Sequence, residues 1–348
     1  MHSVVERLPE RARVAVVRLR SLGDCVLTTP ALALLKQTRP DLEIAIVVED
    51  RFAPVYTHNP DVSRMLAPSP VAIARWRPHL CLNLHGGPRS AQLTVASRAH
   101  LRAGFEHFRF RPVYNLRIPK PQPILQISRK AHTAEHIASA VFWLGVPLQE
   151  IPPARLFAET NSVTGTEFPR REAAENNSRF AAAFRCPSPN WHTLVVHPFA
   201  SAPDKTWPAD RFLALASQTG LDPVFIGAAA DDMTPFRAAR CLQGAGLEQV
   251  KTLLAGAALF IGNDSGPAHM AAAFGLPSLV FFGNSDIDLW RPWKTEAAVL
   301  RDPAGIRAIP LQRAVEVLER LRASFLPSRD GNGAGISRHA ANSRAGTR

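Results

Sequence analysis

Apolar runs too short to be helices alternate along the chain with longer segments whose apolar positions recur three and four residues apart. Residues 14–19 (VAVVRL), 42–48 (LEIAIVV), 79–84 (HLCLNL) and 101–105 are predicted to be strands. Helices are predicted over 25–37, 90–98 and 133–144, the last ended by Gly145 and Pro147. The alternation restarts with strands at 193–196, 223–226, 258–261 and 278–282 and helices over 209–219, 231–243, 247–256 and 267–274. A final helix over 311–325 carries Leu311, Val315, Leu318 and Leu321 as an apolar stripe. Strands separated by helices imply βαβ units and parallel sheets, an α/β fold.

At ~100–200 residues per domain, 348 residues suggest two, and the halves look like one α/β unit used twice. The stretch 145–162, rich in proline and polar residues, is the expected linker, with a further helix over 170–185. The domains are expected at 1–155 and 156–326. The tail 327–348 has few large apolar residues and is expected to be disordered.

Hydrophobic residues make up 46%, which excludes wholesale disorder, and the net charge of +12 favours an anionic partner. Nucleic acid, a phosphate-bearing substrate and a membrane surface all satisfy that charge, as does a solvated basic face; no nucleic-acid motif is present. The tail supplies +3 of the +12, and residues 102–130 carry +6 with Glu106 as the lone acid. That basic stretch reads either as a solvated loop or as a docking surface for a phosphorylated or membrane-borne acceptor. Cys25, Cys81, Cys186 and Cys241 lie far apart without a CxxC pair, which argues against a disulfide framework or thiolate zinc site and fits reduced cytoplasmic thiols. No apolar run reaches the ~18 residues of a spanning helix, and Arg18 and Arg20 interrupt the first one, so a signal peptide is not expected and membrane contact would be peripheral.

In doubly wound sheets ligands sit beyond the carboxyl ends of the strands, so the strand-to-helix loops hold the candidate chemistry. After the first strand comes SLGDCVLTTP. Asp24 there is either a helix N-cap or a carboxylate free for chemistry, according to whether the helix begins at Asp24 and kinks at Pro30 or begins at Thr29. No GxGxxG follows this strand. HPFASAPDKTWP (197–208) places Ser201 and Lys205 on a loop where a lysine can clamp an anion or simply lie at the surface; Trp207 reads as a packing residue. GNDSGPAHMAAAFGLP (262–277) leads from a strand through Asp264, Ser265 and Gly266 into a helix with His269 four residues after Ser265. Its free N–H groups and positive dipole end suit a phosphate, against the plainer reading of a capped helix with a buried histidine. Asp286-Ile287-Asp288 is a DxD of low specificity, and His132 and His136 are expected to be exposed helix histidines.

SLGDCVLTTPAL, the 197–208 loop and 262–277, with NLHGGPRSA (83–91) and the helix near 132–144, together resemble glycosyltransferase family 9, the ADP-heptose:lipopolysaccharide heptosyltransferases, over residues 13–325. The resemblance implies a GT-B architecture, two Rossmann-like domains facing a central cleft, with the acceptor on the N-terminal domain and the nucleotide-sugar on the C-terminal one. It implies an inverting transferase without a catalytic metal or other cofactor, using ADP-heptose as co-substrate and a lipopolysaccharide-core or related glycan, phosphorylated or lipid-linked, as acceptor. It places the general base on Asp24 and donor-binding groups on Ser201, Lys205, Asp264, Ser265, Gly266 and His269. It also implies a cytoplasmic protein with peripheral contact at the inner membrane. Two departures stand out: the acidic residue expected after the strand VFIGA is either displaced to Asp231 or lost, and the 197–205 loop is a residue longer than in some members. The rival class is a non-catalytic nucleotide- or glycan-binding module on the same fold, which has no use for Asp24 and Lys205 together.

Overall fold

The computed structural model describes residues 3–158 and 192–325. Their strands form two six-stranded sheets. The first contains β1 (Arg13–Val17), β2 (Glu43–Val47), β3 (Arg64–Leu66), β4 (Leu80–Asn83), β5 (Leu101–Phe105) and β6 (Leu116–Ile118), in the order β3-β2-β1-β4-β5-β6. The second contains β7 (Thr193–His197), β8 (Asp222–Gly227), β9 (Arg240–Gln243), β10 (Leu259–Asn263), β11 (Ser278–Phe281) and β12 (Ala297–Leu300), in the order β12-β11-β10-β7-β8-β9. Read from its β9 edge, the second order repeats the first, with β7 for β1 and β10 for β4, so one α/β unit is used twice.

The pairings are parallel: Val14 faces Ile44 of β2 and Leu80 of β4, and Ile261 faces Leu279 of β11 and Val196 of β7. Central strands are buried on both faces (Val14–Val17, Leu80–Asn83 and Leu259–Asn263), which is why they read as continuous apolar runs. Edge strands β3, β6, β9 and β12 are short or partly exposed and leave no such run. The helix predicted over 231–243 is instead a 3₁₀ turn, Thr234–Phe236, followed by β9. Pro235 cannot donate within a helix, and the exposed edge position of β9 hides its extended character from hydropathy. The basic stretch 102–130 likewise holds β6 and the short helix Pro121–Leu125.

The first helix, Leu22–Thr38, begins before Asp24 and runs through Pro30. Pro30 leaves the carbonyl of Val26 without its helical donor, and the Thr29 hydroxyl donates to it at 2.8 Å. Thr29 Oγ1 also accepts the N–H of Arg155 at 3.0 Å, and Ile151, Ala154 and Leu156 are buried, so the proline-rich stretch is packed as far as 158. The helix expected over 170–185, Cys186 and the tail 327–348 lie outside the described residues.

One set of buried apolar side chains passes from Val26, Leu27 and Ala31 of the first helix into Ala268, Met270 and Ala271 of the second domain. A separate core fills the far face of the second sheet around Trp207, which is fully buried, stacks on Phe281 at 4.0 Å and donates its Nε1–H to Ile309 O at 3.0 Å. Cys25 and Cys81 are free and buried, and burial pushes their thiols up to about 12 and about 11. No helix among the described residues is long and apolar enough to cross a membrane. Trp207→Ala is expected to destabilise the protein by about 3–5 kcal/mol through loss of packing and the cavity left behind. Equilibrium urea unfolding checks this, and an unchanged midpoint would refute it.

Candidate functional site

In each sheet the winding reverses at one place, between β1 and β4 and between β7 and β10, which are the positions where doubly wound folds hold ligands. The loops after β1 and β4 face a cleft of about 620 Å³ lined by Arg18, Ser21, Asp24, Leu84, His85, Phe108 and His136 from the first domain and Trp290 from the second.

Ser21 is the N-cap of the first helix and Asp24 stands in its first turn. The Ser21 hydroxyl donates to Asp24 Oδ2 at 3.0 Å, and Arg18 Nη1 lies 3.4 Å from Oδ1. Asp24 is therefore held on both oxygens while its side chain keeps 24% exposure at the cleft. Both alternatives for the helix start give way to this one: Asp24 belongs to the capping turn and also lines the cleft. Arg18 is 7% exposed, and its Nε is buried without a hydrogen-bond partner. On the neighbouring loop, Asn83 Oδ1 accepts the N–H groups of His85 and Gly86, and Gly86 at φ +81 lies under the Phe108 ring, where a Cβ would stand 2.5 Å from it. That turn presents His85 to the cleft.

Across the cleft, Ser265 caps the helix Gly266–Ala273. A Cβ on Gly266 would lie 2.5 Å from Leu22, and one on Gly23 would lie 2.7 Å from the His269 ring, so the two helix starts meet through glycines. The Ser265 hydroxyl donates to Asn263 O, and His197 Nδ1 lies 3.0 Å from Ser265 Oγ. Asn263 ties the β7 and β10 loops by accepting the Trp207 N–H and donating to Pro198 O. Lys205 ends the turn Pro203–Lys205, whose backbone lies against Gly283 so closely that any Cβ there would collide with it. Burial raises the Asp264 carboxyl above its ordinary value, opposed by a hydrogen bond with Ser285 and the charge of Lys205.

Asp24 thus lines the cleft, Gly266 and His269 meet the start of its helix at Leu22 and Gly23, and Lys205 acts on Asp264, whereas Ser201 is exposed on its loop with no hydrogen bond to the others. Arg18 and His85 are cleft residues that the sequence does not single out, and His136, read there as an exposed helix histidine, lines the cleft too. The signal for Arg18 is a charge at the end of an otherwise buried strand; His85 sits inside the segment NLHGGPRSA. The expectation that His132 and His136 are exposed is wrong. His132 is 2% exposed: its Nδ1 accepts the Ala134 N–H, so Nε2–H donates to Arg291 O at 2.9 Å, and the ring stacks on Trp293 of the second domain. His136 stacks on Phe105 at 4.2 Å. The DxD is occupied internally, Asp286 capping the helix Ile287–Trp290 and pairing with Lys130 at 2.7 Å. Asp231 accepts the Ala228 N–H at 2.7 Å within its own turn. Among the described residues no group of three or more His, Cys, Asp or Glu side chains could hold a metal ion.

Burial lowers His136, His197 and His269 to about 4; for His269 the neighbouring His132 adds to this and Asp24 opposes it. Burial, with Arg18 and Arg20, lowers His85 as well. These imidazoles stay neutral in the folded protein at pH values where the unfolded chain, near 6.5, takes up protons. The unfolded state then binds more protons, so stability is full above 6.5 and falls as pH drops toward 4. Each such histidine should remove about 1–2 kcal/mol between about pH 7 and about pH 5, and His136→Gln should flatten the slope of urea-unfolding stability against pH. An equal slope in the variant would refute the assignment.

The model of glycosyltransferase family 9 (heptosyltransferase) matches residues 79–310, more than half of the chain. The chain is 24% identical to lipopolysaccharide heptosyltransferase 3 of Escherichia coli K12 over 90% of this chain and 99% of that protein. It is 26% identical to lipopolysaccharide heptosyltransferase 1 of Pseudomonas aeruginosa, over 78% of each. Among solved structures it resembles a glycosyl transferase of family 9 from Veillonella parvula (TM-score 0.72, 20% identity, 91% and 99% coverage). It also resembles E. coli ADP-heptose lps heptosyltransferase II (0.69, 19%, 90% and 99%) and E. coli heptosyltransferase WaaC with ADP (0.68, 19%, 89% and 99%). These neighbours share its GT-B fold of two facing Rossmann-like domains. The chain belongs to glycosyltransferase family 9 and is a glycosyltransferase.

Proposed function

We propose that the protein transfers a heptose from ADP-heptose to a lipopolysaccharide-core or related glycan acceptor in a single inverting displacement, with Asp24 as general base. The observation that carries the reading is the Asp24 carboxylate at the cleft, in the first turn of a helix whose Leu22 and Gly23 meet Gly266 and His269 of the second domain. Asp24 lies before the span matched by the family, so its assignment rests on this geometry and on SLGDCVLTTPAL. The relatives named as lipopolysaccharide heptosyltransferases, and the neighbours solved with ADP or an ADP-heptose analogue, support the donor and the acceptor class.

An acceptor hydroxyl attacks the anomeric carbon from the first domain as the bond from that carbon to the diphosphate breaks. A carboxylate is too weak a base to ionise a sugar hydroxyl beforehand, so the proton passes to Asp24 while the new C–O bond forms. The electron pair of the broken bond leaves on ADP. Lys205 and the free N–H groups of the Gly266–Ala273 helix meet the charge growing there. Arg18 and Ser21 fix the direction of the Asp24 lone pairs. The domains are read as 1–155 for the acceptor and 156–326 for the donor. His269 and Ser265 line the diphosphate end, and Ser201 is assigned to the donor's outer side.

Asp24→Asn keeps the side chain's size and is expected to lower kcat by about 10²–10⁴-fold with ADP affinity unchanged. A transfer assay that found wild-type turnover would remove Asp24 from the mechanism and favour a binding module. Lys205→Ala is expected to weaken ADP binding by about 10-fold or more, as loss of a charge-assisted contact to phosphate. Calorimetry giving an unchanged Kd would sink the assignment.

A further inference from the structure

Ten of the eleven residues that line the cleft belong to the first domain, and Trp290 is the eleventh. Its side chain is partly exposed. Of the described tryptophans in the second domain, Trp207 gives its indole N–H to Ile309 O and Trp293 to Pro152 O, whereas that of Trp290 meets no acceptor among the described residues. A broad apolar ring with a free donor at its rim stands in a cleft whose other walls are mostly polar. A sugar ring has the matching surface, since one face presents C–H groups and the rim presents hydroxyls.

Trp290 ends a four-residue helix, Ile287–Trp290, too short to hold its own direction. The first domain supplies what the helix lacks. The carbonyls on either side of Trp290 are both taken: Thr133 Oγ1 donates to Leu289 O at 2.9 Å, and His132 Nε2–H donates to Arg291 O at 2.9 Å. Asp286, which caps the short helix, pairs with Lys130 at 2.7 Å. These three residues lie at the entry to the helix Thr133–Trp143, whose His136 and Ile137 line the same cleft. From its own domain the Trp290 ring meets the His269 ring in a T-shaped contact, with centroids 6.0 Å apart. The ring is therefore set by the first domain through the backbone around it and by the second through His269.

We propose that Trp290 is a specificity residue of the acceptor site, its indole face stacking on the apolar face of a pyranose ring and its N–H reaching an oxygen on that ring. The sugar is the acceptor's rather than the donor's, because the other walls of the cleft come from the first domain and the groups assigned to the donor, Lys205, Ser265 and Gly266, do not line it. Lys130, His132 and Thr133 act through Trp290 and are positioning residues. The acceptor site is complete only with the two domains in this arrangement, so acceptor affinity depends on a side chain lent by the donor domain. The inference deepens the transferase reading and rests on it for the identity of the cleft.

The test titrates deacylated lipopolysaccharide core oligosaccharides of graded length into the full-length protein with ADP present, by calorimetry, and measures transfer from ADP-heptose to the saccharide that binds. Trp290→Ala is expected to raise the saccharide Kd and KM by about 10-fold or more, as truncation of a tryptophan at a binding hot spot does, with kcat and the ADP Kd unchanged. Trp290→Phe keeps a flat ring and should recover most of the loss. Thr133→Val should raise the saccharide KM by about 2–10-fold through loss of one hydrogen bond, and Thr133→Ser, which keeps the hydroxyl, should not. This second pair reads the same contact with Trp290 in place. Saccharide should shift the tryptophan emission of the wild type, and Trp290→Phe should abolish that shift, a signature that a merely structural role would leave standing. Wild-type protein that binds none of the saccharides, or Trp290→Ala with an unaltered saccharide Kd, would overturn the proposal. So would Trp290→Ala that weakens ADP as much as saccharide, because the residue would then hold the domains rather than the sugar. Saccharide binding that depends on Trp290 without any transfer leaves this proposal intact and removes the transferase reading, and transfer with an equal acceptor KM in Trp290→Ala does the reverse.

Discussion

Two helices begin on opposite sides of the cleft and meet start to start, and that approach is possible because Gly23 and Gly266 lack side chains at the contact. Each helix start presents unpaired N–H groups and the positive end of its dipole. Two positive ends aimed at one gap repel each other and attract anions. On the first domain the gap is answered from within, since Asp24 in the first turn supplies a carboxylate. On the second domain no carboxylate occupies the first turn of the helix, where Pro267 and Ala268 follow Gly266. The asymmetry leaves the positive end of a helix on the second domain facing a helix start on the first that carries a carboxylate.

The surroundings of Asp24 refine this. Arg18, Arg20, His85 and His136 line the same cleft, and Arg18 is almost fully buried at the end of a central strand. Burying an arginine is costly unless it is paired, and its partner is the very carboxylate proposed as the base. The pairing fixes the direction in which the carboxylate faces the cleft. The histidines are kept neutral by burial and leave the cleft less cationic than a count of its basic residues suggests.

Much of this architecture is legible in the amino-acid sequence. Central strands announce themselves because burial on both faces leaves an uninterrupted apolar run, and the three loops holding Asp24, Lys205 and Asp264–His269 follow from the rule that parallel sheets bind ligands at their carboxyl ends. Edge strands such as β9 are not legible, because an exposed strand loses the hydropathy signal while keeping the conformation. The start of the first helix is obscured by Pro30, whose usual disruption is relieved by a hydroxyl donating to the carbonyl it strands. His132 and His136 mislead because local spacing cannot reveal what packs against them, and the burial of both is tertiary.

The second domain is held in place by contacts that sequence patterns do not encode. His132 donates to Arg291 O and Thr133 to Leu289 O at one flank, Lys251 donates to Pro54 O at the other, and Trp293 donates to Pro152 O. In each case the acceptor is a backbone carbonyl, which every residue type offers equally. Only the donor side is specified by the chain, and His132, Lys251 and Trp293 are buried enough that losing the acceptor would strand a polar group away from water. Lys251, fully buried with its ammonium shared between Pro54 O and Glu248, is the extreme case. Relative domain position is therefore enforced by the cost of unsatisfied donors. This enforcement brackets the glycine contact between the helix starts and keeps Asp24 and the start of the Gly266–Ala273 helix at a fixed separation.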